Sequence, residues 1–186
     1  IRDVLGSRGL GDMYKRQIFD PLKLRAINAT YIRALPAEEF RKLADPFIDQ
    51  AVHVQIDRDL LCANLQPRCE VLEDIPPQLD FFDAVLPIDA EMYRNKKQKT
   101  TPESAKEALS ALLPVLEAQT DWSRDAIFEA CKQKAEAMEK KNGWLLFPLG
   151  IALSGKARTP GGGTDLAAMM GKEETLRRLN AAIEAL

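Results

Sequence analysis

TTPESAKEALSALLPVLE, residues 100–117, opens with Thr100-Thr101-Pro102-Glu103. A threonine answered by a glutamate three residues later is a capping-box signature, and proline suits the first positions of a helix. Behind this start signal, Ala105, Leu109, Leu112 and Leu116 recur every three to four residues. That spacing predicts an amphipathic helix, kinked or ended near Pro114. Outward toward the C-terminus, a long helix is expected from Ser123 to Lys141, with Trp122, Ile127, Cys131 and Met138 inward and Asn142-Gly143 as its terminator. LLFPLGIALSG (145–155) is apolar, KARTPGGGT (156–164) reads as a glycine–proline loop, and the closing helices carry Leu166 and Met169, then Leu176, Leu179 and Ile183 beyond a break at Gly171.

Toward the N-terminus the same periods continue. Asp20 and Pro21 are the cap and first residue of a helix whose Leu24, Ile27, Tyr31 and Leu35 share a helical spacing. A second helix through Phe40 and Leu43 is expected to stop before Pro46. Short helical patterns follow from Asp57 to Leu65, and Phe81 and Phe82 are candidate core anchors. Strand-period alternation is nearly absent, so the predicted fold is all-α. The charge run Arg94–Lys99 marks a boundary between two small helical subdomains, 18–94 and 95–186. Residues 1–17, IRDVLGSRGLGDMYKRQ, read as a flexible or foreign leader.

Composition narrows function further. The 186 residues are 46% hydrophobic and 29% charged with net charge −2, the balance of a globular chain and not of a basic-tail nucleic-acid binder. No apolar stretch approaches the length of a membrane span. Three cysteines make a disulfide framework unlikely to arise, so a cytoplasmic monomer is expected. The single histidine, His53, excludes multi-histidine zinc sites and any motif that needs two. Cys62 and Cys69 lack ligand spacing, and the Thr159–Gly163 loop lacks the lysine ending of a phosphate loop. No nucleophile–base constellation emerges, so no catalytic, cofactor or metal residues are assigned.

Cations in loops remain. Arg94, Lys96, Lys97 and Lys99 form a short run after Tyr93, and Lys140, Lys141, Lys156 and Arg158 stand at other breaks. Two readings are open: a solvated charged surface, or contacts to a nucleic-acid backbone, which give affinity without reading sequence.

Six motifs in order resemble one family, the anticodon-binding part of bacterial glutamyl-tRNA synthetase. They are FDPLKLRAINATYIR (19–33), RCEVLEDIP (68–76), KKQKTTPESAKEALSALLPVLE (96–117), DWS (121–123), KNGWLLFPLGIALSGKARTPGGG (141–163) and GKEETLRRL (171–179). The resemblance implies an anticodon-binding helix bundle made of two subdomains. It implies transfer RNA for glutamate as partner, with glutamine tRNA as a second candidate, and contacts at Arg68, Pro160 and Leu166. Glutamate activation by ATP, with magnesium, belongs to an upstream domain bearing H-I-G-H and K-M-S-K-S-type motifs, and this sequence contains neither. One position departs: the family's Pro-x-Arg before ALSG reads Pro148-Leu149-Gly150 here. A planar five-donor guanidinium is replaced by no side chain. A helical protein-interaction scaffold without an RNA role is the competing reading.

Overall fold

The computed structural model describes residues 20–186, so the expected leader lies outside the described residues. Nine α-helices follow in order: α1 Pro21–Ala34, α2 Ala37–Ile48, α3 Arg58–Leu65, α4 Pro76–Leu79, α5 Pro102–Ala118, α6 Arg124–Ala137, α7 Asn142–Ser154, α8 Gly163–Met170 and α9 Lys172–Ala185. The all-α expectation holds. Among the described residues the only β-type pairing is an isolated bridge between Asn95 and Thr100.

Local signals explain most helix ends. Asp20 accepts from the Leu22 and Lys23 amides at 3.0 and 3.4 Å, and Pro21 occupies the first position of α1. The α5 cap is displaced by one residue from its sequence reading. Thr101 accepts from the Ser104 amide at 3.3 Å, and the Ser104 hydroxyl accepts from the Thr101 amide at 2.8 Å, so Thr101–Ser104 forms the reciprocal pair, not Thr100–Glu103. Thr100 is buried, and its hydroxyl donates to the Tyr93 carbonyl at 2.7 Å. Removal of the cap by Thr101→Ala is expected to cost about 1 kcal/mol of stability, read from urea denaturation. A change below the error of that measurement would mean that the first-turn amides of α5 lose nothing to solvent.

Three sequence expectations are corrected. Pro46 and Pro114 lie inside α2 and α5 instead of ending them. Pro46 is two residues from the end of its helix, where the bond it cannot donate costs least. Asn142-Gly143 does not terminate α6: that helix ends at Ala137, the chain turns through Glu139 at φ +55°, and Asn142 starts α7. Third, the LLFPLG stretch is helical. Trp144, Leu145, Leu149, Ile151, Ala152 and Leu153 are all buried, so α7 is apolar around its whole circumference and runs through the core. It ends at Gly155, φ +65°, a left-handed position suited to glycine.

The four residues of the predicted α5 stripe are all buried, as are Phe81 and Phe82, whose rings stack at 4.5 Å. In α1 the stripe faces outward: Leu24, Ile27 and Tyr31 are exposed, and Ala29 and Ile32 are the buried residues. Buried side chains from before and after residue 94 form one continuous cluster. Arg178 on α9, 1% exposed, closes it. Its guanidinium donates to the carbonyls of Phe81 (2.7 Å), Phe82 (2.8 Å) and Leu153 (2.6 Å), and to the Glu174 carboxylate at 2.6 Å.

Candidate nucleic-acid interface

Two groups of cations are built on ordered turns. The first is the 94–100 turn, where Asn95 and Thr100 exchange two backbone hydrogen bonds of 3.1 Å each. The Asn95 side chain accepts from the Lys97 and Gln98 amides at 2.9 and 3.1 Å, and Lys99 takes φ +56°. The turn therefore presents its lysines from a defined backbone. Lys96, Lys97 and Lys99 are exposed, and among the described residues no carboxylate pairs with them. Arg94 differs: Glu91 binds its guanidinium at 2.7 and 3.0 Å, which holds Glu91 below the usual carboxylate range. That pair occupies Arg94 and leaves the three lysines as the open charges of this turn.

Gly143 connects the turn to α7. A side-chain carbon there would stand 1.9 Å from Oε1 of Gln98, so the Gln98 amide lies directly on the backbone at the start of α7. This contact brings the lysine turn beside Lys141, which is exposed immediately before the first residue of α7. Lys140 stacks its ammonium over the Trp144 ring at 5.2 Å. Spacing along the chain gave no hint of this pairing, because Gln98 and Gly143 carry no charge pattern.

The second group surrounds the 156–162 loop. Arg68 donates to the carbonyls of Thr159 and Pro160 at 3.2 and 2.9 Å, fixing this loop against the 3₁₀ turn Gln66–Arg68. Arg68, Gln78, Arg158 and Thr159 line an open polar cleft, with Arg158 exposed at its edge. Lys156 donates to the Pro77 carbonyl at 2.8 Å and pairs with Asp80, so it anchors the loop and is not a free cation. Pro160 is buried and serves through its carbonyl. Leu166 is fully buried in α8, so its side chain is part of the core and touches no solvent-side ligand. Gln78, which sequence reasoning missed, enters the cleft through tertiary packing alone.

Gly150 lies in the middle of α7 and not in a turn. Its Cα faces α8, where an added side-chain carbon would meet the Gly163 backbone at an ordinary 3.8 Å. The expected closeness of the 143–150 and 155–166 segments is present, as a contact between two helices.

No thiol is poised for chemistry. Burial pushes Cys62 up to about 11 and Cys131 up to about 12, so both stay protonated at neutral pH. Among the described residues no group of three His, Cys, Asp or Glu side chains is placed to hold a metal ion, and no helix is long and apolar enough to cross a membrane.

Comparison with known proteins gives this geometry its context. A profile described as the anticodon binding domain matches residues 29–183. The glutamate–tRNA ligase of Clostridium botulinum (strain Hall) is 42% identical over 169 residues, covering 91% of this chain and 35% of the ligase. That of Clostridium tetani is 40% identical over 187 residues, covering 100% of this chain and 38% of the ligase. The chain thus spans little more than a third of the length of these relatives. The crystal structure of a glutamate tRNA ligase from Elizabethkingia meningosepticum in complex with its amino acid superposes with a TM-score of 0.76 at 26% identity, covering 90% of this chain and 33% of that one. With the profile spanning most of the sequence and relatives above 40% identity along nearly all of it, the chain belongs to the anticodon binding domain family, in the form that glutamate–tRNA ligases carry.

Proposed function

We propose that the chain is the tRNA-recognition portion of a cytoplasmic glutamate–tRNA ligase. In this reading it grips the anticodon stem and loop of glutamate tRNA, while ATP-dependent ligation takes place in a domain outside this sequence. The observation that carries the reading is the family match over residues 29–183. The free lysines of the 95–100 turn with Lys141, and the Arg68–Arg158 cleft, are the places where such a partner would be held. Phosphate oxygens would meet Lys96, Lys97, Lys99 and Lys141 as point charges. Arg158, with its planar fork, suits a phosphate or a base edge at the mouth of the cleft. Unstacked loop bases are the usual targets of sequence-specific RNA reading, and a cleft between ordered turns is a suitable receiver.

Fluorescence anisotropy with a glutamate-tRNA anticodon stem-loop tests this directly. The chain should bind saturably, and Lys97→Glu combined with Lys99→Glu should weaken binding. The slope of log K against log salt should become shallower by about one per lost phosphate contact. Unchanged affinity and slope would make the turn a solvated surface. The isolated chain should also show no glutamate-dependent ATP–pyrophosphate exchange, with or without tRNA, and robust exchange would overturn the division of labour proposed here. One feature favours the scaffold reading as a second role: Leu22 and Tyr31 on α1 are 77% and 71% exposed, a surface suited to protein contact.

A further inference from the structure

A cavity of about 160 Å³, partly open to solvent, lies between the 85–93 segment, α7 and α9. Val85, Leu86 and Ile88 form one wall, and Ala152, Ala182 and Ala185 the other. The alanines explain the space: three helical positions facing the segment carry only a methyl group. In size the cavity matches the roughly 150 Å³ that accommodates one benzene molecule in an apolar protein interior. Tyr93 also lines it. Its hydroxyl is buried, and among the described residues no atom partners it. Native proteins seldom leave such a group unsatisfied, because a buried polar atom loses its water without compensation.

We propose that this cavity binds a small neutral apolar molecule bearing one hydrogen-bond acceptor, which receives the Tyr93 hydroxyl. Neutrality follows from Arg178, the only ionisable group on the lining besides Tyr93 and the terminal residue. Four of its five N–H groups are engaged by the Phe81, Phe82 and Leu153 carbonyls and by Glu174, whose carboxylate balances its charge. An anion would find little left to pair with. Burial pushes Tyr93 up to about 12, so it remains a donor throughout the physiological range. The site is independent of RNA binding and uses none of the open lysines.

The test is a titration of the whole chain followed by methyl ¹H–¹³C spectra. Cyclohexanone supplies the acceptor, and methylenecyclohexane has the same shape without it. Both should shift the Val85, Leu86 and Ile88 methyl resonances saturably. Tyr93→Phe should weaken cyclohexanone five- to tenfold and leave methylenecyclohexane within twofold. This variant keeps the ring and removes an unpartnered hydroxyl, so it should melt no lower than the parent. Absence of saturable shifts with either probe would overturn the proposal. So would an equal response of the parent and Tyr93→Phe to cyclohexanone, or a variant that melts lower because the hydroxyl holds a structural partner.

Discussion

Arg178→Met is expected to destabilise the fold by about 3–5 kcal/mol, as removal of one partner from a buried charged network does. The side chain is 1% exposed and donates to three buried carbonyls and to Glu174. Methionine fills a similar length but donates nothing, so the Phe81, Phe82 and Leu153 carbonyls lose their partner away from water. Each such group costs about 1–3 kcal/mol when orphaned. Arg178→Lys keeps the charge but not the fork, and a single ammonium cannot span carbonyls contributed by two separate segments. It should recover less than half of the loss. Urea denaturation of the three proteins measures both numbers, and a loss under about 1 kcal/mol for Arg178→Met would show that water replaces the guanidinium. The Arg177 and Arg178 bonds lower Glu174 against the opposing effect of its partial burial. With a depressed folded value, its contribution is present above the ordinary carboxylate range and disappears as pH falls through the lowered one.

Gly163→Ala should follow in size, at about 2–3 kcal/mol, through overpacking. The added carbon would lie 2.8 Å from the Leu146 carbonyl oxygen, 2.9 Å from the Gly150 nitrogen and 3.1 Å from Cγ of Leu149. Two of these are backbone atoms of α7, which cannot retreat without moving the helix. Gly150→Ala is the natural control, since its new carbon meets Gly163 only at 3.8 Å. Replacing a mid-helix glycine there should stabilise by about 0.5–1 kcal/mol. Thermal melts of the two variants should therefore move in opposite directions. Equal shifts would mean that α7 and α8 separate readily. That outcome would also free the position where the family pattern has arginine.

How much of this was legible in the sequence differs by element. The α5 stripe, with Ala105, Leu109, Leu112 and Leu116, was readable because one face of that helix is covered and the other is wet. In α1 the same period misled: Leu24, Ile27 and Tyr31 share a face, but period alone does not say whether anything covers it. α7 was unreadable as a helix for the opposite reason, since a helix buried all round has no contrast between faces. Asn142-Gly143 then resembled a terminator because the following residues offered no period to continue. For the candidate site, the loops bearing cations were visible as composition. Which cations are free was not. Glu91 on Arg94, Asp80 on Lys156 and the Thr159 and Pro160 carbonyls on Arg68 are tertiary facts, and they divide the charges into anchors and open groups.

Arg68, Lys156 and Arg178 all clasp segments distant in sequence by donating to main-chain oxygens. Every amino acid supplies such an oxygen, proline included, and Pro77 and Pro160 are two of the acceptors. The clasp is therefore asymmetric in its tolerance of mutation. The donor admits almost no replacement, while an exposed acceptor residue can change identity without loosening the bond. Sequence drift in this domain would erase the acceptor side first, and a search for compensating pairs would find no signal at the joints that hold it together.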